Sequence, residues 1–345
     1  MTSVDVTIRG AGILGLSIAW ACAARGATIR IIDPSGPGAG SSGGLVGALA
    51  PHVPENWNVK KAFQLESLLA AEAFWKEVDA ASGLSSGYIR SGRIQPILDA
   101  HGLELASQRA ASAQSLWPED AAWSVKSDEE NVWQITSPSG KIIYDTLSAL
   151  LHPRQAIASL VAALASRGVE VTADSSEHGA VVWATGVAGL EALNLNHPRQ
   201  VGTGVKGQAA LLAFNARGAP QLFVDGLHVI PHQDGTVAIG STSERNFEAA
   251  TNTDAALEDL IDTARNKVPV LRNAPVIDRW AGVRPRTRSR APMLGAWPDR
   301  PCHFIANGGF KIGFGMAPKI ADVMAALILD GKDLIPESFQ VAASF

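Results

Sequence analysis

The sequence predicts an α/β chain, α+β overall, in which a doubly wound domain is interrupted by an inserted antiparallel-sheet domain. Three observations carry this. An apolar strand, a glycine turn, a helix and a second strand follow one another over residues 4–33. The helix stop and strand of Arg25-Gly26-Ala27-Thr28-Ile29 return as Arg167-Gly168-Val169-Glu170-Val171. Residues 200–245 alternate short strands with turns, the pattern of antiparallel pairing. At 345 residues there is room for about two domains.

The first element carries the chemistry. In Gly10-Ala11-Gly12-Ile13-Leu14-Gly15, Gly10 permits a tight turn and Gly12 has no side chain to hold a pyrophosphate off the backbone. Gly15 lets the helix close on the strand. Asp33 stands 18 residues past Gly15, close to the spacing of a carboxylate that binds an adenosine ribose. Free N–H groups at the helix start complete a Rossmann-type dinucleotide site.

Residues 34–51 are rich in glycine, proline and serine, a composition usual in flexible linkers. Following the ribose acid directly, and holding apolar Leu45 and Val46, they read instead as a loop laid along a ligand. Residues 60–82 predict a helix with a broad apolar face, and 101–116 an alanine-rich helix. Residues 91–98 and 131–144 carry strand and turn signals. Pro153 suits the first turn of a helix over 153–167. Ala180 to Gly186 is a buried strand running into a turn, in the same sheet as the first βαβ unit. Strands are expected at Gln208–Phe214, Gln221–Val224, Leu227–Pro231 and Thr236–Ile239, with Asp234-Gly235 as a hairpin turn. Helices follow at 254–267 and 316–329. Residues 1–85, 145–195 and 276–345 are thereby assigned to the dinucleotide domain, and 86–144 and 196–275 to the inserted one.

Composition narrows the function. A charged content of 18% against 46% hydrophobic describes a globular chain with ample core, and a net charge of −4 gives no pull toward nucleic acid. Cys22 and Cys302, the two cysteines, suggest buried thiols rather than a disulfide framework or metal cage. No apolar run reaches the length of a membrane span, so a cytoplasmic setting is expected.

Taken together, several motifs resemble the FAD-dependent D-amino-acid oxidase superfamily, especially its glycine oxidase and sarcosine oxidase branches. They are the glycine turn, Asp33, Ser41-Ser42-Gly43-Gly44 with Ala50-Pro51, Ala184-Thr185-Gly186, Trp280-Ala281-Gly282-Val283-Arg284-Pro285, and Gly309-Phe310-Lys311-Ile312-Gly313. The resemblance spans nearly the whole chain. It implies a two-domain flavoenzyme that dehydrogenates the C–N bond of an amino acid and passes hydride to flavin N5. Gly10, Gly12 and Gly15 would hold the pyrophosphate and Asp33 the ribose. Ser41, Ser42 and Gly43 would touch the diphosphate and flavin edge, and Ala184 and Gly186 the adenosine half. Gly313, Gly315 and Met316, opening the last helix, would face the flavin ring, where backbone N–H groups stabilise charge on the reduced form. Arg284 matches the glycine oxidase arginine that clamps the substrate carboxylate, a role suited to its planar fork. Lys311 matches a sarcosine oxidase lysine of similar duty.

Departures from the family pattern shape the remaining expectations. No cysteine lies in Trp280–Arg290, where sarcosine oxidases attach flavin, so FAD is expected to be noncovalent. Only nine residues separate Val171 from Val181, so the usual hairpin there is missing and adenine contacts are open. Arg286, Arg288 and Arg290 alternate after Arg284, as if sharing one strand face, most of them solvated. His52, His232 and His303 lie nearest the site by segment, and none is assigned a role. The expected partners are a small amine or amino acid, oxygen or an electron carrier, and a second copy of the chain. Alternative readings are a flavoenzyme acting on a modified tRNA base and a flavin-binding assembly protein without turnover.

Overall fold

The computed structural model describes residues 4–129, 131–174 and 176–345. The chain begins with β1 (Val6–Arg9), α1 (Ile13–Ala24) and β2 (Ile29–Ile32), and the glycine-rich segment leads to β3 (Ala48–Leu49). Next come α2 (Val59–Ser82), β4 (Arg93–Pro96), α3 (Ala100–Leu116), β5 (Trp123–Ser127) and β6 (Lys141–Asp145). After β7 (Ala149–Leu150) follow α4 (Pro153–Ala165), β8 (Val171–Thr172), β9 (Ala180–Trp183) and α5 (Gly186–Leu195). The chain then forms β10 (Gly202–Leu212), β11 (Gln221–Val224), β12 (Leu227–Pro231), β13 (Val237–Gly240) and α6 (Ala255–Lys267). It closes with β14 (Val276–Thr287), β15 (Met293–Ala296), β16 (His303–Asn307) and α7 (Gly313–Asp330).

Two main sheets result. A six-stranded sheet runs β15-β16-β9-β1-β2-β8, parallel except for the β15–β16 hairpin. An eight-stranded sheet runs β14-β10-β13-β12-β11-β4-β6-β5, antiparallel except where β11 meets β4. The helix α1 is apolar all round because it is buried on all sides, between the first sheet and α4 and α7. Strand β10 is also buried on both faces. Ala210 and Leu212 pack with α6, while Ala209 and Leu211 pack with Leu45 and Leu150, the alternation that a strand imposes.

Four sequence expectations change. Residue 276 does not mark a return to the first sheet. β14 pairs with β10 along the eight-stranded sheet, and the six-stranded sheet resumes only at Met293. Val132–Ile135 is a turn rather than a strand. The Asn131 carboxamide accepts the Trp133 N–H at 3.2 Å, offering the backbone an alternative to a ladder. Cys22 is buried, with its thiol pushed up to about 12 by burial, but Cys302 is exposed. The arginine alternation ends with β14 at Thr287, so Arg288 and Arg290 leave the strand face. Arg288 donates to the Phe345 carbonyl at 2.6 Å, and Arg290 takes a left-handed turn conformation at φ 58°. Among the described residues, no helix is long and apolar enough to cross a membrane, and no cluster of side chains could hold a metal ion.

Candidate active site

A cavity of about 1520 Å³ runs from the carboxyl ends of β1 and β2 to the face of β14. Sites for drug-sized ligands hold roughly 300–1,000 Å³, so this one has room for a dinucleotide and a second molecule.

At one end lie Gly10, Gly12, Asp33, Ser41, Ser42, Ala184 and Gly186. Gly10 has φ 104°, and a Cβ there would stand 2.4 Å from the Ala184 carbonyl oxygen. The turn therefore admits only glycine. Asp33 accepts the Ala11 N–H at 2.7 Å and the Ser35 N–H at 3.0 Å, so its carboxylate fixes the glycine turn that it flanks. The Ser42 hydroxyl accepts the Ile13 N–H at 3.0 Å and so satisfies a free donor at the start of α1.

Four of the residues expected to touch FAD, Gly15 and Gly43 at the diphosphate and Gly315 and Met316 at the ring, lie behind the wall. Gly15 packs under the turn, where a Cβ would come within 1.9 Å of the Gly10 carbonyl oxygen. Gly43 turns away, its carbonyl accepting from Arg154 at 3.0 Å. Because α7 begins at Gly313, Gly315 already faces α2 against Leu68, and Met316 sits in the core at 1% exposed. Gly313 itself lines the cavity.

Sequence reasoning did not foresee the aromatic wall at the nucleotide end. Trp183 and Trp297 meet edge to face at 5.7 Å. Arg9 lies 4.9 Å over Trp183, and Arg300 lies 4.2 Å over Trp297. All four line the cavity. Trp183 reads in sequence as one more apolar strand residue, and Trp297 and Arg300 carry no local signal.

At the far end the structure brings Arg284 and Lys311 together. Arg284 stands on β14 and is 8% exposed. Its Nη1 donates to the Thr242 carbonyl at 3.3 Å. Burial pulls its guanidinium down to about 10, against the opposing pull of Glu244. Lys311 follows β16 and is exposed toward the cavity. Its ammonium is held below the usual lysine range, first by partial burial and then by Arg284 and Arg286. Among the described residues neither cation has a carboxylate partner. The Phe310 N–H donates to the Pro285 carbonyl at 3.2 Å, tying the two segments together.

One histidine missed by the sequence reading joins them. His228 on β12 lines the cavity, its ring 4.7 Å from that of Phe223. Burial pushes it down to about 4, helped by the charges of Arg93, Lys311 and Arg284. Its Nδ1 is buried without a partner among the described residues. Inside an apolar strand a histidine gives no sequence signal of the face it takes. His232, by contrast, is enclosed against His152 at 4.4 Å, and His52 is bound to Gln64. His303 bonds Trp183 at 2.9 Å.

These residues fit FAD. Gly10 and Gly12 line the cavity with no side chain to block a diphosphate, Asp33 lines it beside the turn, and Gly313 lines it where α7 begins.

Comparison with known proteins agrees. The family described as DAO, FAD dependent oxidoreductase, matches residues 5–327. The bifunctional protein ThiO/ThiG of Synechocystis sp. is 28% identical over 373 residues, covering 96% of this chain and 52% of that protein. The chain thus spans about half the length of the first curated relatives that it matches. Glycine oxidase of Geobacillus kaustophilus is 24% identical, covering 94% of this chain and 92% of the relative. The crystal structure of glycine oxidase from G. kaustophilus superposes with a TM-score of 0.85 at 21% identity, covering 99% of both chains. That of iminodiacetate oxidase from Chelativorans sp. BNC1 superposes with a TM-score of 0.85 at 19% identity, covering 97% and 98%. Because the family model matches residues 5–327, the chain belongs to the family of FAD-dependent oxidoreductases.

Proposed function

We propose that this protein dehydrogenates the C–N bond of a small amino acid or N-alkyl amino acid, with noncovalent FAD as oxidant. The observation that carries this reading is Arg284: a buried guanidinium facing the cavity with no carboxylate partner among the described residues. An unpaired buried charge is costly, and a substrate carboxylate relieves that cost. FAD, which Gly10, Gly12, Asp33, Ser42 and Gly313 would hold, would supply the two-electron oxidant for the α-C–H bond.

The protein positions and polarises. Arg284 grips the carboxylate in its planar fork and fixes the α-carbon, a proximity effect. His228, held neutral, accepts a hydrogen bond from the amine without adding to the positive field. The substrate amine loses its nitrogen proton as C=N forms, and water then hydrolyses the imine. Trp280 and Phe223 line this end and keep bulk water from it. Reoxidation falls to oxygen or an electron carrier.

The test is anaerobic titration of the yellow holoenzyme with glycine, sarcosine, N-methyl amino acids and D-amino acids. Bleaching by one of them is expected. Bound FAD that no amine reduces would leave a flavin-holding protein without turnover.

A further inference from the structure

The substrate end of the cavity carries more positive charge than one carboxylate needs. Arg284 and Lys311 both line it, and Arg245 joins them from the segment that follows β13. Among the described residues none of the three has an acidic partner, and the acids that line the cavity, Asp33 and Glu191, stand at its nucleotide end. Glu244 compensates only in part, acting on Arg284 at a distance and without a salt bridge to it. It is drawn to the buried Lys206 at 3.6 Å and to the Gln208 amide at 3.0 Å. Behind the wall a further cation, Arg93, is spent on the buried Asp145 at 3.0 Å.

We infer that the preferred substrate is an amine bearing two carboxylates, one held by Arg284 and the second by Lys311. The inference rests on the dehydrogenase reading above and adds the charge class of its substrate. A monocarboxylate leaves one of the two cations unpaired in a half-desolvated site, whereas a dicarboxylate pairs both. The two cations also differ in kind. The fork of Arg284 suits the carboxylate that sets the reacting carbon, and the point charge of Lys311 takes the second carboxylate without demanding one planar orientation of it. The reaction is unchanged: hydride leaves the carbon beside nitrogen for FAD, the nitrogen proton goes to solvent, and water cleaves the imine.

Two measurements on the FAD-loaded protein test this. Unreactive malonate and acetate are titrated by their perturbation of the bound flavin spectrum. Reduction rates are then compared for D-aspartate and iminodiacetate against glycine and sarcosine. Malonate is expected to bind about tenfold or more tighter than acetate, a difference of about 1.4 kcal/mol. Lys311→Met should abolish that preference by weakening malonate about tenfold more than acetate, and Lys311→Arg should keep it. Equal affinities for malonate and acetate, or equal weakening of both by Lys311→Met, would overturn the inference. So would reduction by glycine as fast as by the dicarboxylates, an outcome that leaves the dehydrogenase reading intact. Selective malonate binding with no reduction by any amine would sink the dehydrogenase reading alone.

Discussion

Gly207 lies directly beneath the guanidinium of Arg284: a Cβ on Gly207 would stand 1.7 Å from Nη1. Gly207 opposes Gly282 on β14, two residues from Arg284, so the arginine lies across a stretch of sheet with no side-chain floor. Gly207→Ala must therefore push the guanidinium out of its place. Substrate kcat/KM and carboxylate affinity are expected to fall by about 30-fold or more, the scale of a disrupted charged contact. FAD affinity should be unchanged. Steady-state kinetics with flavin titration checks both, and retained activity would show that Arg284 does not need this floor.

Asp33 is tied to the glycine turn and also lines the cavity. Asp33→Ala removes the acceptor of the Ala11 and Ser35 N–H groups. A loss of about 1–3 kcal/mol is expected in FAD binding, together with a lower Tm of the FAD-free protein. A Tm drop without weaker FAD binding would assign the carboxylate to the turn alone.

Acid should unfold the protein through the His152–His232 pair. Burial lowers both, His232 to about 3, and the His152 Nδ1 and His232 Nε2 are buried without partners among the described residues. Below the ordinary 6.5 the unfolded chain takes up protons that the folded one refuses. Stability is thus full above that value and is lost as pH falls toward 3. His232→Phe, similar in shape and unable to titrate, should flatten the slope of stability between pH 6 and 4 by about 1.4 kcal/mol per unit.

Lys206 is 2% exposed, and its ammonium holds Asp254 at 2.7 Å. Asp254 also caps α6 and accepts from Gln208 at 2.7 Å. This knot secures segment 241–254, from which Ser241, Arg245, Phe247 and Thr251 reach the cavity. Lys206→Met is expected to cost about 1–2 kcal/mol, since Asp254 can rehydrate. Amide exchange across 241–254 should quicken, and KM should rise with kcat little changed.

What could be read from the sequence were the features governed by local rules. A glycine at positive φ, a helix stop and a turn before an acid are set by near neighbours, so the turn of Gly10 and Gly12 and the nearby Asp33 are legible in the sequence, and all three line the cavity. Arg284 and Lys311 emerged through motif resemblance, and the structure brings both to one end of the cavity. Facing is harder. Gly43, Gly315 and Met316 belong to the right segments but point into protein, because helix phase and loop direction are fixed by packing against Leu68 and Gly38. His228, Trp183 and Trp297 were missed for the same reason. Their roles arise where distant strands meet, and nothing beside them in the chain records that.

The short link from Phe310 to Pro285 sets a fixed span between the two cationic heads. One belongs to a rigid strand and the other to a hairpin exit hydrogen-bonded to that strand, so the pair works as a caliper. Selection among diacids then depends on their carbon count. Graded homologues, from aminomalonate through aspartate and glutamate to 2-aminoadipate, should show a single optimum in length rather than a steady trend with size.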